Sequence, residues 1–393
     1  AVKEGKLDMI PNLITREGFE IIQQAELTGD QQTRAAVEIR GRNWGKGPWM
    51  KEGGGPAVVI VAFDLIPKVP SPYEKMRYPH LDNQRTLVKE RIRNTYNARL
   101  KKSERCNILH ASDNTAEAYE YIETIWDDSM VDVLQRKIAD KQKTFVSVFP
   151  VRKNLTGSGR RAKIELIEYK GSLAIHKKFR PQSLRYLERE KYAYQELSAK
   201  IRHIPPCLDA GADYIILPVF EPSLQRLGLL PLKAVKAVYN VLESLFREGL
   251  FWGDATPQNV CFDKYGNVVC IDFEFLQRYQ VQPATIQDGF DVGQTPQSST
   301  YDFPGLRLRF EADTFEKIWT PVCGLTFEQI STPHSDVYYQ TRRMLYFCQH
   351  IPAQFTIVLS KKIKRSLRSK IPILGKRVIR FIDTAIDRCL FKR

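Results

Sequence analysis

Residues 250–275, LFWGDATPQNVCFDKYGNVVCIDFEF, restrict the folds open to this chain more than any other stretch. Two short apolar segments, 260–262 and 268–271, flank the turn sequence KYGN, a pattern that predicts a β-hairpin. Asp254 and Asn259 precede the first segment, and Asp272 ends the second. Because a hairpin returns its second strand beside its first, we expect these three side chains to converge.

Two carboxylates and one amide at the end of a hairpin form a set of oxygen ligands suited to phosphoryl transfer. That reaction needs oxygen ligands for Mg²⁺ and a carboxylate that orients the accepting hydroxyl. The alternative interpretation is a group of surface charges on an ordinary hairpin.

Two charged residues upstream lie on faces that are predicted to be buried. In SLAIHKKF (172–179), strand alternation places Lys177 on the same face as Ile175 and Phe179. In the next predicted helix, 182–201, Glu190 is the one charge on an apolar stripe. A lysine and a glutamate that both face inward need partners.

Residues 250–275 resemble the catalytic and metal-binding loops of the protein-kinase superfamily, of the lipopolysaccharide or small-molecule kinase type. WGDATPQN stands where that family has His-Arg-Asp…Asn, and IDFE where it has Asp-Phe-Gly. The resemblance implies a two-lobed, protein-kinase-like phosphotransferase domain over 136–350 that uses ATP and Mg²⁺. It makes Asp254 the catalytic base, and Asn259 and Asp272 the magnesium ligands.

The same resemblance implies an ion pair at the nucleotide between Glu190 and Lys177, with Lys178 as the fallback. Three residues depart from the family pattern: Gly253 replaces an arginine, Thr256 a lysine and Glu274 a glycine. Gly253 favours a hydroxyl of an envelope glycan or lipid as the acceptor, with a protein hydroxyl as the other class. A further interpretation is a non-enzymatic pseudokinase scaffold at a membrane, with Glu274 reflecting degraded metal binding.

The segment RCNILHASDNTAEAYEYIETIW (105–126) predicts a second site for phosphate chemistry. CNIL predicts a strand that ends at His110, and a helix follows with Asn114 or Asp113 as its cap. Helix N-termini favour anions, and a neutral imidazole there could attack a phosphoryl group. The alternative is a hydrogen-bonded structural histidine.

Residues 1–126 resemble nucleoside diphosphate kinases, through the segments VKEG, GGGPAVVIVAFD, ERIRNTY and NILHASDNTAEA. The resemblance implies a ferredoxin-like α+β domain over 1–135, N-terminally truncated, that can form a homo-oligomer. It assigns nucleotide-phosphate binding to Lys3, Arg93 and Asn107, and the phosphohistidine to His110. An alternative function is therefore nucleoside diphosphate kinase activity. Tyr121 stands where the family has a supporting glutamate.

The net charge of +15 is concentrated at the C-terminal end of the chain. Residues 361–393 contain twelve Lys/Arg and two Asp, so they carry +10 of it. This part of the basic tail (351–393) also has an apolar helical face. The combination favours binding to an anionic membrane surface. Docking on the body of the protein is the second alternative, and binding to nucleic acid is the third. Scattered cysteines and short apolar runs predict a cytoplasmic protein, peripheral at the inner membrane face.

Overall fold

The computed structural model describes residues 5, 7–39, 54–98, 100–224, 229–293, 301–302 and 315–350. Helices and strands are mixed along the chain, as the α+β expectation requires. The chain forms two compact units, 1–148 with 156–163, and 149–155 with 164–393. Lys3 and the basic tail lie outside the described residues, so the predictions made for them have no structural counterpart here.

The first unit consists of helices around a two-stranded antiparallel sheet. Its elements are α1 (Met9–Glu17), β1 (Glu20–Glu26), α2 (Gly29–Glu38), β2 (Val58–Phe63), α3 (Pro72–Arg77), α4 (Val88–Asn97), α5 (Thr115–Ile125) and α6 (Asp128–Thr144). Strand β1 pairs with β2 from Glu20↔Phe63 to Glu26↔Val58, with an irregularity after Ile21. Ile10 and Leu13 of α1 pack against Val88 and Ile92, and a second cluster joins α2 to α5.

The prediction of a strand at CNIL is wrong. Among the described residues, Cys106 forms one isolated β-bridge, and residues 107–110 pair with no strand. Side chains of α4 bind the backbone of this segment. Asn97 accepts from the Cys106 N–H at 3.0 Å and donates to its carbonyl at 2.9 Å. Arg93 donates to the Leu109 carbonyl at 2.9 Å. Backbone groups that side chains satisfy need no strand partner.

The second unit begins with strands and ends with helices. Its elements are β3 (Val151–Asn154), β4 (Ala162–Tyr169), β5 (Ser172–Phe179), α7 (Leu184–Lys191), β6 (Asp209–Ala210), β7 (Tyr214–Pro218), β8 (Glu221–Pro222), α8 (Leu232–Arg247), β9 (Leu250–Phe251), β10 (Val260–Phe262), β11 (Val268–Cys270), β12 (Gln277–Arg278), α9 (Phe315–Ile318), α10 (Thr320–Cys323) and α11 (Phe327–Ser331). A further helix is described over 336–350.

The main sheet of the second unit has five strands in the order β3-β4-β5-β7-β6. Strands β4 and β5 form a hairpin whose turn, Lys170 and Gly171, has positive φ at both residues. Helix α6 ends at Thr144, and β3 starts at Val151. The predicted boundary at 135/136 falls inside α6, and the two units divide after that helix.

Two predicted elements, together with helix α8, position the candidate site of the second unit. The helix predicted over 182–201 forms α7 and continues as a π-helix, Tyr192–Leu197. The hairpin predicted after residue 259 is β10 and β11, paired from Val260↔Cys270 to Phe262↔Val268. Helix α8 lies before it and buries an apolar face that includes Val238 and Leu245. Among the described residues, no helix has both the length and the hydropathy of a transmembrane span.

Candidate functional site

Lys177 of β5 lies at the centre of a buried charged cluster. Its Nζ is 2.6 Å from Glu190 Oε1 and 2.7 Å from Asp272 Oδ1. Glu274 Oε2 lies 3.6 Å from the same nitrogen. The pairing of Lys177 with Glu190 is as predicted, whereas Lys178 points elsewhere and pairs with Asp213 at 3.0 Å. Tertiary structure therefore brings together residues 177, 190 and 272, which are distant in sequence.

Three carboxylates gather around the Lys177 ammonium. Glu190, Asp272 and Glu274 each place one oxygen within 4.8 Å of the oxygens of the other two. Burial opposes the charge on Lys177, but Asp272, Glu190 and Glu274 outweigh it and raise the pKa of Lys177 well above its ordinary value. Burial also raises the pKa of Glu190 above its ordinary value, and the ammonium of Lys177 opposes that rise. The cluster is thus prepared to accept additional positive charge.

Asp272 has a strained backbone that neighbouring side chains hold in place. Its φ is 66°, in the left-handed region that non-glycine residues rarely occupy. The Tyr194 hydroxyl accepts from its N–H at 2.8 Å, and Trp252 Nε1–H donates to its carbonyl at 3.0 Å. Tyr194 reaches this position from the π-helix, an irregularity that is frequent at functional sites. This backbone conformation directs the carboxylate of Asp272 to Lys177.

Asp254 and Asn259 converge at the start of the hairpin, as predicted. Asn259 Nδ2 donates to the Asp254 carbonyl at 2.9 Å and lies 3.5 Å from Asp254 Oδ2. The Ile271 N–H donates to the Asn259 carbonyl at 2.9 Å. The residue that precedes Asp272 is therefore bound to Asn259, so all three predicted residues lie at the same end of the hairpin.

Asp291 supports the loop that carries Asp254, and it has no counterpart in the sequence prediction. Its two carboxylate oxygens accept from the N–H groups of Trp252 at 2.6 Å and Gly253 at 2.8 Å. Gly253 has φ 80°, a conformation that an L side chain disfavours, which explains glycine at this position. Asp291 follows Asp254 by 37 residues and belongs to no periodic pattern, so no local signal marks it.

Asp291 provides a pH-dependent test of this support. Burial raises the pKa of Asp291 from 3.8 to about 6, although the two N–H groups oppose the rise. For an acid whose pKa is raised by folding, the associated stability is present below about pH 4 and lost as the pH rises through 6. We expect the wild-type free energy of unfolding, relative to Asp291→Asn, to fall by about 1–3 kcal/mol over that range.

Urea unfolding midpoints at pH 4, 5, 6 and 7 measure this difference. Asp288→Asn, an exposed aspartate three residues earlier, is the matched control and should track the wild type. A difference between wild type and Asp291→Asn that stays constant with pH would contradict the prediction.

In the first unit, His110 is part of a hydrogen-bonded chain with residues of α5. The Tyr121 hydroxyl lies 3.2 Å from His110 Nε2 and donates to Glu117 Oε1 at 2.5 Å. Because the Tyr121 hydroxyl donates its proton to Glu117, it can only accept a hydrogen bond from the imidazole. In the neutral ring the proton is therefore on Nε2 and not on Nδ1. Burial lowers the pKa of His110, and the charges of Arg93 and Lys89 lower it further.

The other residues predicted in the first unit lie close to His110 in sequence or on helix α4. Asn114 caps α5 by accepting from the Glu117 N–H at 2.8 Å, and Glu117 returns its carboxylate to the Asp113 N–H. Asn107 Oδ1 is buried and accepts no hydrogen bond from a described residue. Arg93 binds the Leu109 carbonyl one residue before His110. The segment 106–110 carries Asn107 and His110, and α4, which binds this segment, carries Arg93.

Neither a protein-family model nor a curated protein matches this chain. The functional assignment therefore depends on the residues and their geometry.

Proposed function

We propose that the second unit is an ATP- and Mg²⁺-dependent phosphotransferase of the kinase type. Its acceptor is a hydroxyl of an envelope glycan or lipid, or of a protein. Gly253 and the basic segment 361–393 support an acceptor at an anionic membrane surface.

The observation that carries the proposal is the position of Lys177 between Glu190 and Asp272, at 2.6 and 2.7 Å. Protein kinases combine a lysine on the third strand of the small lobe, a glutamate on the following helix and a metal-binding aspartate. Here Lys177 is on β5, the third strand of the main sheet, and Glu190 is on α7, the helix that follows. Lys177 is suited to bind nucleotide phosphates with Glu190 holding it.

The donor set fits magnesium. Asn259 and Asp272 would hold the ion, since carboxylate and amide oxygens are the protein ligands that Mg²⁺ prefers. The close grouping of the Glu190, Asp272 and Glu274 oxygens, together with the buried Glu190 Oε2 that accepts no hydrogen bond from a described residue, favours a cation. When bound, the ion would supply charge neutralisation for the phosphates of ATP.

Asp254 is the group that would receive the proton of the acceptor hydroxyl. Asn259 fixes its backbone, and Asp291 fixes the two preceding residues. This support satisfies the requirement that a catalytic base be held in one orientation relative to its substrate.

Incubation of the full chain with γ-labelled ATP, Mg²⁺ and candidate acceptors (glycolipid, glycan, protein, nucleoside diphosphates) tests the proposal. The expected result is label on a hydroxyl acceptor, dependent on Mg²⁺ and lost in Asp254→Ala. ATP turnover that survives both Asp254→Ala and Asp272→Ala would overturn it. Binding of ATP with no turnover under any condition would instead indicate a non-enzymatic scaffold.

A second candidate function, transfer between nucleotides through phosphohistidine at His110, is favoured by one observation in the first unit. The Tyr121–Glu117 contacts leave Nδ1 of His110 as the unprotonated ring nitrogen, and the lowered pKa keeps the ring neutral at pH 7. A neutral imidazole nitrogen is the form that attacks a phosphoryl group. Acid-labile label after incubation with γ-labelled ATP, absent in His110→Ala, would support this function.

A further inference from the structure

Residues 301 and 302 link α7 to the strand pair β9–β12. Asp302 Oδ2 is 2.6 Å from Arg185 Nε and 2.9 Å from Arg189 Nη2. Both arginines are on α7, one helical turn apart, and Glu190 follows Arg189 directly. One carboxylate therefore binds two points on the helix that presents Glu190 to Lys177.

The backbone of Asp302 is bound at the same time to β12. Gln277 Oε1 accepts from the Asp302 N–H at 3.0 Å, and Gln277 Nε2 approaches the Asp302 carbonyl at 3.5 Å. Gln277 is paired with Phe251 of β9, which leads into the loop of Asp254. The residue thus connects α7 with the strand next to the candidate catalytic loop.

The neighbouring Tyr301 holds this connection on the strand side. Its ring lies 5.3 Å from Phe251 and 5.1 Å from Phe290, and its hydroxyl accepts from the Gln280 N–H at 3.1 Å. On the helix side, Arg189 Nη1 also approaches the Glu274 carbonyl at 3.4 Å. Asp302 therefore has a rigid aromatic anchor one residue before it and an arginine pair opposite it.

We propose that Asp302 is a positioning residue, which holds α7 through Arg185 and Arg189 and so keeps Glu190 against Lys177; this rests on the proposed function of the second unit. Single exposed ion pairs contribute little, but a carboxylate shared by two arginines and fixed by its backbone is a network. The carboxylate belongs to the chain itself.

Hydrogen–deuterium exchange of the α7 amides, measured together with ATP turnover on the full chain, tests the inference. In Asp302→Asn we expect exchange over 184–191 to rise about tenfold and kcat to fall about tenfold. Asp302→Glu should restore both, because it returns the charge. Asp288→Asn, an exposed aspartate whose side chain accepts from Thr285 in its own loop, should leave both unchanged.

Four outcomes would decide the matter. Faster α7 exchange with lower kcat, repeated in Arg185→Gln/Arg189→Gln, supports the proposal. Unchanged exchange in Asp302→Asn overturns it, as does faster exchange with an unaltered kcat. A wild-type protein that shows no turnover would overturn the proposed function, and the exchange comparison would still decide whether Asp302 holds α7.

Discussion

Asp272→Asn should lower ATP turnover by about 10³-fold, the scale reported for losing one preorganised electrostatic group. Asparagine has nearly the same size and tolerates the positive φ of this position, so the backbone held by Tyr194 and Trp252 should persist. What disappears is the negative charge that binds Lys177 at 2.7 Å and that would hold magnesium. The loss should fall on kcat, measured with γ-labelled ATP over a range of Mg²⁺ concentrations.

Asp263→Asn is the matched control for Asp272→Asn. Asp263 lies at the other end of the same hairpin, where its side chain accepts from the N–H groups of Tyr265 and Asn267. Both N–H groups donate to Oδ1, so asparagine can keep these bonds and loses only the one from Asn267 Nδ2 to Oδ2; turnover should remain within about twofold of wild type. Asp272→Asn turnover that stays as close to wild type as the control would remove Asp272 from the reaction.

Lys177→Met should reduce both turnover and stability, and the two effects can be separated. The substitution leaves Glu190 and Glu274, both almost fully buried, next to Asp272 without the Lys177 ammonium. Removing one partner from a buried ion pair costs about 3–5 kcal/mol. We expect turnover to fall about 10²- to 10³-fold, from the loss of a phosphate-binding charge, and the unfolding midpoint to fall as well.

The double variant Lys177→Met/Glu190→Gln separates the two effects. Neutralising Glu190 should recover much of the lost stability, because it removes one of the uncompensated buried carboxylates. It should recover none of the turnover if Lys177 acts on the nucleotide. Recovery of turnover along with stability would mean that Lys177 serves only the fold.

Lys178→Met is the control one residue along the same strand. Lys178 pairs with Asp213, whose side chain is 38% exposed, so water can replace the lysine there. Turnover of Lys178→Met should match the wild type, and the free energy of unfolding should change by about 1 kcal/mol or less. A loss as large as that of Lys177→Met would show that the strand, and not the individual side chain, determines the effect.

Several features of the site could be predicted because each depends on residues near one another in sequence. Strand alternation in β5 and the helical stripe of α7 place Lys177 and Glu190 on inward faces, and the turn at 263–267 brings Asp272 back to Asn259. The cap of α5 at Asn114 is equally local. Periodicity and turn chemistry act over a few residues, so they leave a readable pattern.

The failures follow from contacts that outweigh local propensity. CNIL has the composition of a strand, but Asn97 and Arg93 of α4 take up the backbone groups that a neighbouring strand would have bound. A short apolar run is ambiguous until its partners are known.

From the sequence alone came the mixed α+β character, the hairpin with its polar end, and the inward Lys177 and Glu190. Tertiary structure alone decided that Glu274 joins their cluster, that Asp291 supports the loop of Asp254, and that Asp302 binds α7. The partners of these carboxylates are tens of residues away in sequence or more. They are backbone N–H groups, arginines and a lysine, to which any aspartate or glutamate could bind. Such contacts depend on how the chain packs in three dimensions, so they have no period or motif to mark them in the sequence.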